Sequence, residues 1–275
     1  MGVGSMRSES NLDLHTPTHL PAFISEYNFL ALWGYVEVLA RQRYSSWAWR
    51  HYKDVLADLV RIRGARRIME IGAGRFPLFD RTEVAPFDVE YIANDIDPVE
   101  LERAPDEVEK ACFDISTAET AWVAELTNTV DLAFSKMVFE HLPDVKQAYR
   151  NIYEMLSPGG VCLNFHPILF SPPFVINYLM PSNPAERLLR RLSPWRNHDE
   201  HPKFPAAYDR CWVSRSFRNG LREMGYRKVW QLPFWSHEYF NPFPGLRECD
   251  RVINKIAERV NLTSIASYCY TIVVK

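Results

Sequence analysis

Apolar residues recur every three or four positions between Pro21 and Arg63, the spacing expected when one face of a helix is buried. The segment is also unusually rich in aromatic residues. Two interpretations remain open: helices that pack on a main domain, or a lid that closes over a ligand site. The apolar positions are Phe23, Tyr27, Leu30, Ala31, Gly34 and Val38, then Trp49, Tyr52, Val55, Leu56, Leu59 and Val60.

After Arg63 the period changes to short apolar runs separated by turns and helical stretches. Alternation of such strands with helices predicts a mostly parallel sheet covered on both faces. Helices are expected over Asp144–Leu156, Ser214–Met224 and Leu246–Val260, with a final strand over Ser264–Lys275. The five strands predicted earlier in the chain are Arg67–Ile71, Val89–Ala93, Lys110–Phe113, Val130–Phe134 and Gly160–Phe165.

Two segments do not fit the alternation. Residues 1 to about 20 are polar and are predicted to form a disordered leader, followed by the helical region 21–63 and a main domain over 64–275. Eleven of the nineteen prolines fall between Pro167 and Pro244. The section 169–210 interrupts the strand–helix rhythm, and we interpret it as an inserted cap that recognises the substrate.

The composition narrows the classes of function. The chain has 275 residues, 47% hydrophobic and 24% charged, with a net charge of −2. This balance gives no general attraction to nucleic acid or to an anionic membrane. No apolar run reaches the length of a membrane span, and no secretory signal is visible, so a cytoplasmic protein is expected. Five scattered cysteines without a C-x-x-C pair indicate free thiols and no metal site.

A glycine turn and two carboxylates lie at the ends of the first three strands. Gly72 and Gly74 come directly after the first strand, where glycine lets the backbone approach a ligand closely. Position 77, where a dinucleotide fingerprint has a third glycine, is Pro77. Asp95, at the end of the second strand, is placed to accept the hydroxyls of a ribose. Asp114 ends the third strand, and for it a helix cap before Ser116 is an open alternative.

These motifs in this order resemble class I methyltransferases that depend on S-adenosylmethionine (SAM). The resemblance covers about Arg67 to Pro167 and implies a Rossmann-like, seven-stranded sheet. It also implies SAM as cofactor, S-adenosylhomocysteine (SAH) as product, and a cofactor site of nine residues. These are Glu70, Gly72 and Gly74 for the methionine part, Asp95 and Ile96 for the ribose, Asp114 and Ile115 for the adenine, and Ser135 and Lys136 for the sulfonium end. The departure is Arg75-Phe76-Pro77, where the family often has a further small residue.

The residues that act on the acceptor are less predictable, because SAM is already activated and needs mainly alignment. His141 and His166 are the candidate general bases, with a structural histidine as the alternative for each. His198 and His201 are interpreted as part of a solvated loop. Aromatic residues of the insertion and its surroundings are expected to line a largely apolar substrate pocket or to fill core; they are Tyr178, Tyr208, Trp212, Trp235 and Tyr239.

The sequence therefore predicts an enzyme that methylates an oxygen or nitrogen of a small-molecule acceptor. Two alternatives stay open. One is an enzyme that consumes SAM itself, by cyclisation with release of methylthioadenosine. The other is a module that binds SAM without catalysis, because a fold alone does not choose among these functions.

Overall fold

A computed structural model describes residues 22–118, 120–179 and 205–275. The chain begins there with three helices, α1 (Ala22–Ala40), α2 (Ser45–Arg50) and α3 (Tyr52–Arg63). Helix α3 ends at Gly64, whose left-handed φ of 61° closes the last turn. Its buried face comprises Tyr52, Val55, Leu56, Leu59 and Val60, all of which the sequence pattern had placed on one face.

Seven strands form one sheet in the order β3-β2-β1-β4-β5-β7-β6. Strands β1 to β5 are parallel, and β7 runs antiparallel between β5 and β6. The strand order reverses between β1 and β4, which is where open α/β sheets bind ligands. The strands are β1 (Arg67–Ile71), β2 (Glu90–Asp95), β3 (Glu109–Cys112), β4 (Val130–Lys136), β5 (Leu156–Pro167), β6 (Lys228–Phe234) and β7 (Tyr268–Val274).

Helices cover both faces of the sheet. The remaining helices are α4 (Arg81–Val84), α5 (Pro98–Glu102), α6 (Ala121–Glu125), α7 (Val145–Met155), α8 (Pro172–Leu179), α9 (Arg215–Glu223) and α10 (Pro244–Arg259). Neighbouring residues of β5 show the two faces, since side chains alternate along a strand. Phe165 stacks on Tyr52 of α3. The next residue back, Asn164, lies on the other face and donates a hydrogen bond to Tyr149 Oη of α7, at 2.9 Å. The expected Rossmann-like layers are confirmed.

Two details differ from the expected elements. The turn-like run Ser157–Gly160 lies inside β5, whose pairing with β4 shifts register between Val130 and Leu132. Gly159 has a φ of 78° there, so the irregularity is absorbed by a residue that tolerates it. Strand β6 has no counterpart among the strands read from the sequence. It pairs with β7 along its whole length and is the edge strand on that side of the sheet.

Part of the inserted cap is described. Helix α8 and residues 205–210 belong to it, whereas residues 180–204, including His198 and His201, lie outside the described residues, as does the leader. Among the described helices, none combines the length and the apolar character that a membrane crossing requires. The boundaries of the leader, helical region and cap stay predictions.

Candidate cofactor and acceptor site

The turn after β1 is shaped by two glycines with left-handed backbone. Gly72 has a φ of 73° and Gly74 a φ of 56°. A Cβ on Gly72 would overlap the side chain of Val138, from the segment after β4. The amide of Ala73 donates to the Asn94 carbonyl at 2.9 Å, which ties the turn to β2. The turn is therefore pressed against both neighbouring strand ends, as expected for a backbone cradle at the switch point.

Asp95 joins the glycine turn to the end of β2. Its Oδ2 accepts the Gly74 amide at 2.9 Å, and its Oδ1 accepts the Asp97 amide at 2.9 Å. The side chain is half-buried. Asp97 caps α5 by accepting from Val99 N, with Pro98 at the first position, as the sequence indicated. The structure thus brings Gly72, Gly74 and Asp95 together at one edge of the sheet.

Glu70 turns inward and holds the loop after the glycines. Its Oε2 accepts the Leu78 amide at 2.8 Å and the Tyr91 hydroxyl. Burial raises the pKa of Glu70 to about 7, opposed by the two hydrogen bonds and by Lys136 and Lys53. These contacts make Glu70 a residue that positions the cradle from below.

The unusual run after the turn has a structural explanation. Arg75 forms a two-pronged ion pair with Glu100, in the first turn of α5. Such paired hydrogen bonds fix the geometry of both side chains. The next helix, α4, has only four residues, Arg81–Val84, and begins well past Pro77. In place of a long first helix, the Arg75–Glu100 pair anchors the turn.

Ile96, expected at the ribose, and Asp114 and Ile115, expected at the adenine, differ in burial. Ile96 is exposed, with 60% of its surface accessible beside Asp95. Ile115 is buried in the main core. Asp114 accepts from the amide and the hydroxyl of Ser116, at 2.8 and 2.7 Å, so it forms a local turn and not the helix cap that was the open alternative, since the next described helix begins at Ala121. Of this group, the geometry favours Ile96 as a surface for a flat ring.

The two residues expected at the sulfonium end point in different directions. Ser135 is fully buried, and its hydroxyl donates to Asn164 Oδ1 at 2.9 Å. This contact does not support a role for its side chain at a ligand. Lys136 instead lies over the rings of Trp49, at 4.8 Å, and Tyr52, at 5.6 Å. Burial and Lys53 lower the pKa of Lys136, and Glu70 opposes this shift.

The two candidate general bases, His166 and His141, also differ in burial. His166 is buried, and its ring nitrogens contact the Pro167 carbonyl and Thr271 Oγ1, both at 3.0 Å. Burial lowers its pKa to about 4. These contacts support the structural alternative for His166. His141 is half-buried in the turn after β4, with Nδ1 2.9 Å from the Pro205 carbonyl. It lies just after the carboxyl end of β4.

The residue that sequence reasoning missed is Glu140, next to His141. Its side chain is buried, and its Oε2 has no hydrogen-bond partner among the described residues. Burial raises the pKa of Glu140 to about 8. Its backbone carbonyl accepts the amides of Ala207 and Tyr208, at 2.8 and 2.9 Å. The neighbouring Glu-His pair in the sequence was a signal, but it drew attention to the histidine alone.

The aromatic residues divide into two groups. Phe174 contacts Tyr208, Tyr239 and, at 5.3 Å between centroids, Tyr268. Tyr178 joins this group through its ring contact with Tyr208. Trp212 and Trp235 belong instead to a separate small core near β7. The first group, with Trp49 added through its 5.6 Å contact to Tyr268, is here named the aromatic wall; its members are Trp49, Phe174, Tyr178, Tyr208, Tyr239 and Tyr268.

Comparison with known proteins agrees with this geometry. Residues 69–164 match the family described as "Methyltransferase domain". No curated protein sequence matches the chain. A SAM-dependent methyltransferase from Archaeoglobus fulgidus is similar in structure, with 17% identity and a TM-score of 0.47 over 81% of this chain and 94% of that one.

Two further solved structures are similar to the same degree. One is a SAM-dependent methyltransferase from Mesorhizobium loti, with 15% identity and a TM-score of 0.48 over 82% of this chain and 97% of that one. The other is phosphoethanolamine N-methyltransferase 2 from Haemonchus contortus, with 15% identity and a TM-score of 0.49. This chain is covered over 83%, and it spans about half of that protein, 56%.

None of these structural likenesses assigns a substrate. The family match covers the segment from β1 to β5, and it contains the glycine turn, Asp95 and the end of β4. The segment from β1 to β5 is thus similar to a methyltransferase domain, and it lies in a seven-stranded, mostly parallel Rossmann-like sheet.

Proposed function

We propose that this chain transfers the methyl group of SAM to an oxygen or nitrogen of a small-molecule acceptor. The observation that carries the proposal is the hydrogen bond between Asp95 and the Gly74 amide. It joins the glycine turn and the acidic strand end beside the switch point of the sheet, where both can contact one ligand.

The residues present fit SAM. The left-handed turn at Gly72 and Gly74 has no side chain at either glycine, so its partly exposed backbone is accessible to a ligand. Each carboxylate oxygen of Asp95 accepts one amide, and a second lone pair on each remains for a ribose hydroxyl. The exposed Ile96 offers an apolar surface beside it for the adenine. When bound, SAM supplies a methyl group already activated by its positive sulfur.

The chain's own residues then have to orient the acceptor and exclude water. Lys136 and Trp49 mark the point where the cofactor site meets the aromatic wall. The wall continues from Trp49 through Tyr268 to Phe174 and Tyr208. Rings along this path provide the apolar surface on which a small acceptor can be aligned.

The test begins with the purified protein and SAM alone, followed by mass spectrometry. We expect SAM to remain intact, and calorimetry to show SAH binding that the Asp95→Ala variant loses. Release of methylthioadenosine would instead make SAM the substrate and refute methyl transfer. Binding of SAH with no methylation of any acceptor in a broad metabolite screen would favour the non-catalytic module.

A further inference from the structure

Glu140 lies where the acceptor would meet the cofactor, at the turn that follows β4. The turn Phe139–His141 begins three residues after Lys136. Residues beside the carboxyl ends of central strands are the usual source of ligand contacts in such sheets. Glu140 is nonetheless only 4% exposed, so its carboxyl group is separated from bulk water.

A carboxyl group in this position is costly to the fold unless something binds it. Burying a charge without a partner is strongly unfavourable, and buried polar atoms are nearly always hydrogen-bonded. Yet Oε2 of Glu140 has no hydrogen-bond partner within the part of the chain that the structure describes. Across the described ranges, the only basic group that an ion-pair distance links to Glu140 is His141, with Nε2 3.8 Å from Oε1. The fold therefore leaves one carboxylate oxygen for another group.

The surroundings of Glu140 are aromatic and carry no compensating charge. Burial raises the pKa values of Tyr208, Cys211 and Tyr268, and the nearby negative charge of Glu140 raises them further. Two of these, Tyr208 and Tyr268, belong to the aromatic wall. Ring faces attract cations, so a carboxyl group among several rings is a suitable environment for an organic cation, whose charge favours the ionised form of the carboxyl group.

The backbone around Glu140 supports a functional reading. Met137, Tyr208 and Arg210 have left-handed φ angles of 61°, 50° and 53°, although none is glycine. Tyr208 donates its amide to Glu140 O, and Met137 precedes Glu140 in the same turn. Strained residues of this kind cluster at ligand sites, where the surrounding structure holds them in place.

We infer that the acceptor is an amine, and that its nitrogen binds the Glu140 carboxylate beside the aromatic wall. This inference rests on the proposed function and names its substrate class. An amine arrives as an ammonium ion and must lose a proton before it can attack. Glu140 takes that proton, and the nitrogen lone pair then forms the bond to the methyl carbon. The sulfur keeps the electron pair of the broken bond, leaving SAH and a methylated ammonium product.

The experiment compares matched amines and alcohols on the SAH complex of the full chain at neutral pH. The probes are benzylamine with benzyl alcohol, phenethylamine with phenethyl alcohol, and hexylamine with hexanol, measured by calorimetry. At least one amine is expected to bind about tenfold or more tightly than its alcohol, since a charge-assisted hydrogen bond is involved. Glu140→Gln removes this preference, whereas Glu125→Gln, the same change on the exposed face of α6, retains it.

The possible results distinguish the amine inference, the proposed function and a structural role of Glu140. Equal binding of amines and alcohols, or no binding of any amine, overturns the inference while SAH binding leaves the proposed function intact. Failure to bind SAH would count against the proposed function itself. A thermal scan at alkaline pH separates a structural role. Glu140→Gln should keep or raise the Tm there, because a buried carboxylate is removed; a lower Tm would show that Glu140 serves the fold.

Discussion

Replacing Gly72 by alanine tests the geometry of the cofactor turn directly. Gly72 has a φ of 73°, and its added Cβ would overlap Val138. The left-handed backbone costs an L-residue about 1–2 kcal/mol. Forcing a methyl group against a packed side chain adds about 1–3 kcal/mol. The variant should therefore lose about 2–5 kcal/mol of unfolding free energy.

The assay is thermal and denaturant unfolding of the ligand-free chain. In a protein of this size, 1 kcal/mol corresponds to about 2–4 °C in Tm, so a fall of about 4–20 °C is expected. Gly64→Ala is the matched control. Gly64 has a similar φ of 61° but nothing within 4 Å of its added Cβ, so it should show the backbone cost alone.

The double variant Gly72→Ala/Val138→Ala isolates the overlap. Removing the Val138 methyls should restore part of the loss, giving a coupling free energy of about 1–3 kcal/mol between the two sites. If Gly72→Ala is no more destabilising than Gly64→Ala, or if the two substitutions are additive, the close approach between the turn and Val138 does not exist in solution.

Three other predictions address the site and its support. Asp95→Ala should weaken SAH binding about tenfold or more, while Asp97→Ala should mainly cost the α5 cap, about 1 kcal/mol by denaturant unfolding. Because burial raises the pKa of Glu70 to about 7, its contribution to stability is full below the unfolded value near 4.5 and is lost as pH rises through 7. Glu70→Gln should flatten this decline in unfolding free energy; an unchanged pH profile would contradict it. Asp250→Ala leaves the buried His237 without its partner at 3.2 Å and should cost about 1–3 kcal/mol in unfolding measurements.

That last contact also accounts for an inverted helix. On α10 the buried face carries Asp250 and Asn254, whereas Val252, Ile253 and Ile256 are exposed. The two polar residues hold the loop after β6, since Asn254 Oδ1 accepts the Ser236 amide at 3.1 Å. The sequence predicted a helix over Leu246–Val260, and the structure has one there, but the usual assumption that the apolar side of a helix faces the core does not hold here.

The sequence by itself determined the order of the elements and the cofactor turn. Short apolar runs alternating with helices can bury their surfaces only in a layered α/β sheet, and the sheet has that form. The turn at Gly72 and Gly74 and the acid at Asp95 were also readable, because they are local. Each depends on the strand that precedes it, and parallel strands end at the same edge.

The tertiary structure alone decided which of the candidate side chains are buried and which are accessible. Strand residues alternate between faces, and the sequence does not show which face is open, so Ser135 and His166 were candidates although both are buried. The aromatic wall joins segments more than two hundred residues apart, from Trp49 to Tyr268. Glu140 becomes a candidate for acceptor binding only because its side chain is buried and its Oε2 has no partner among the described residues. Both are properties of the packed protein.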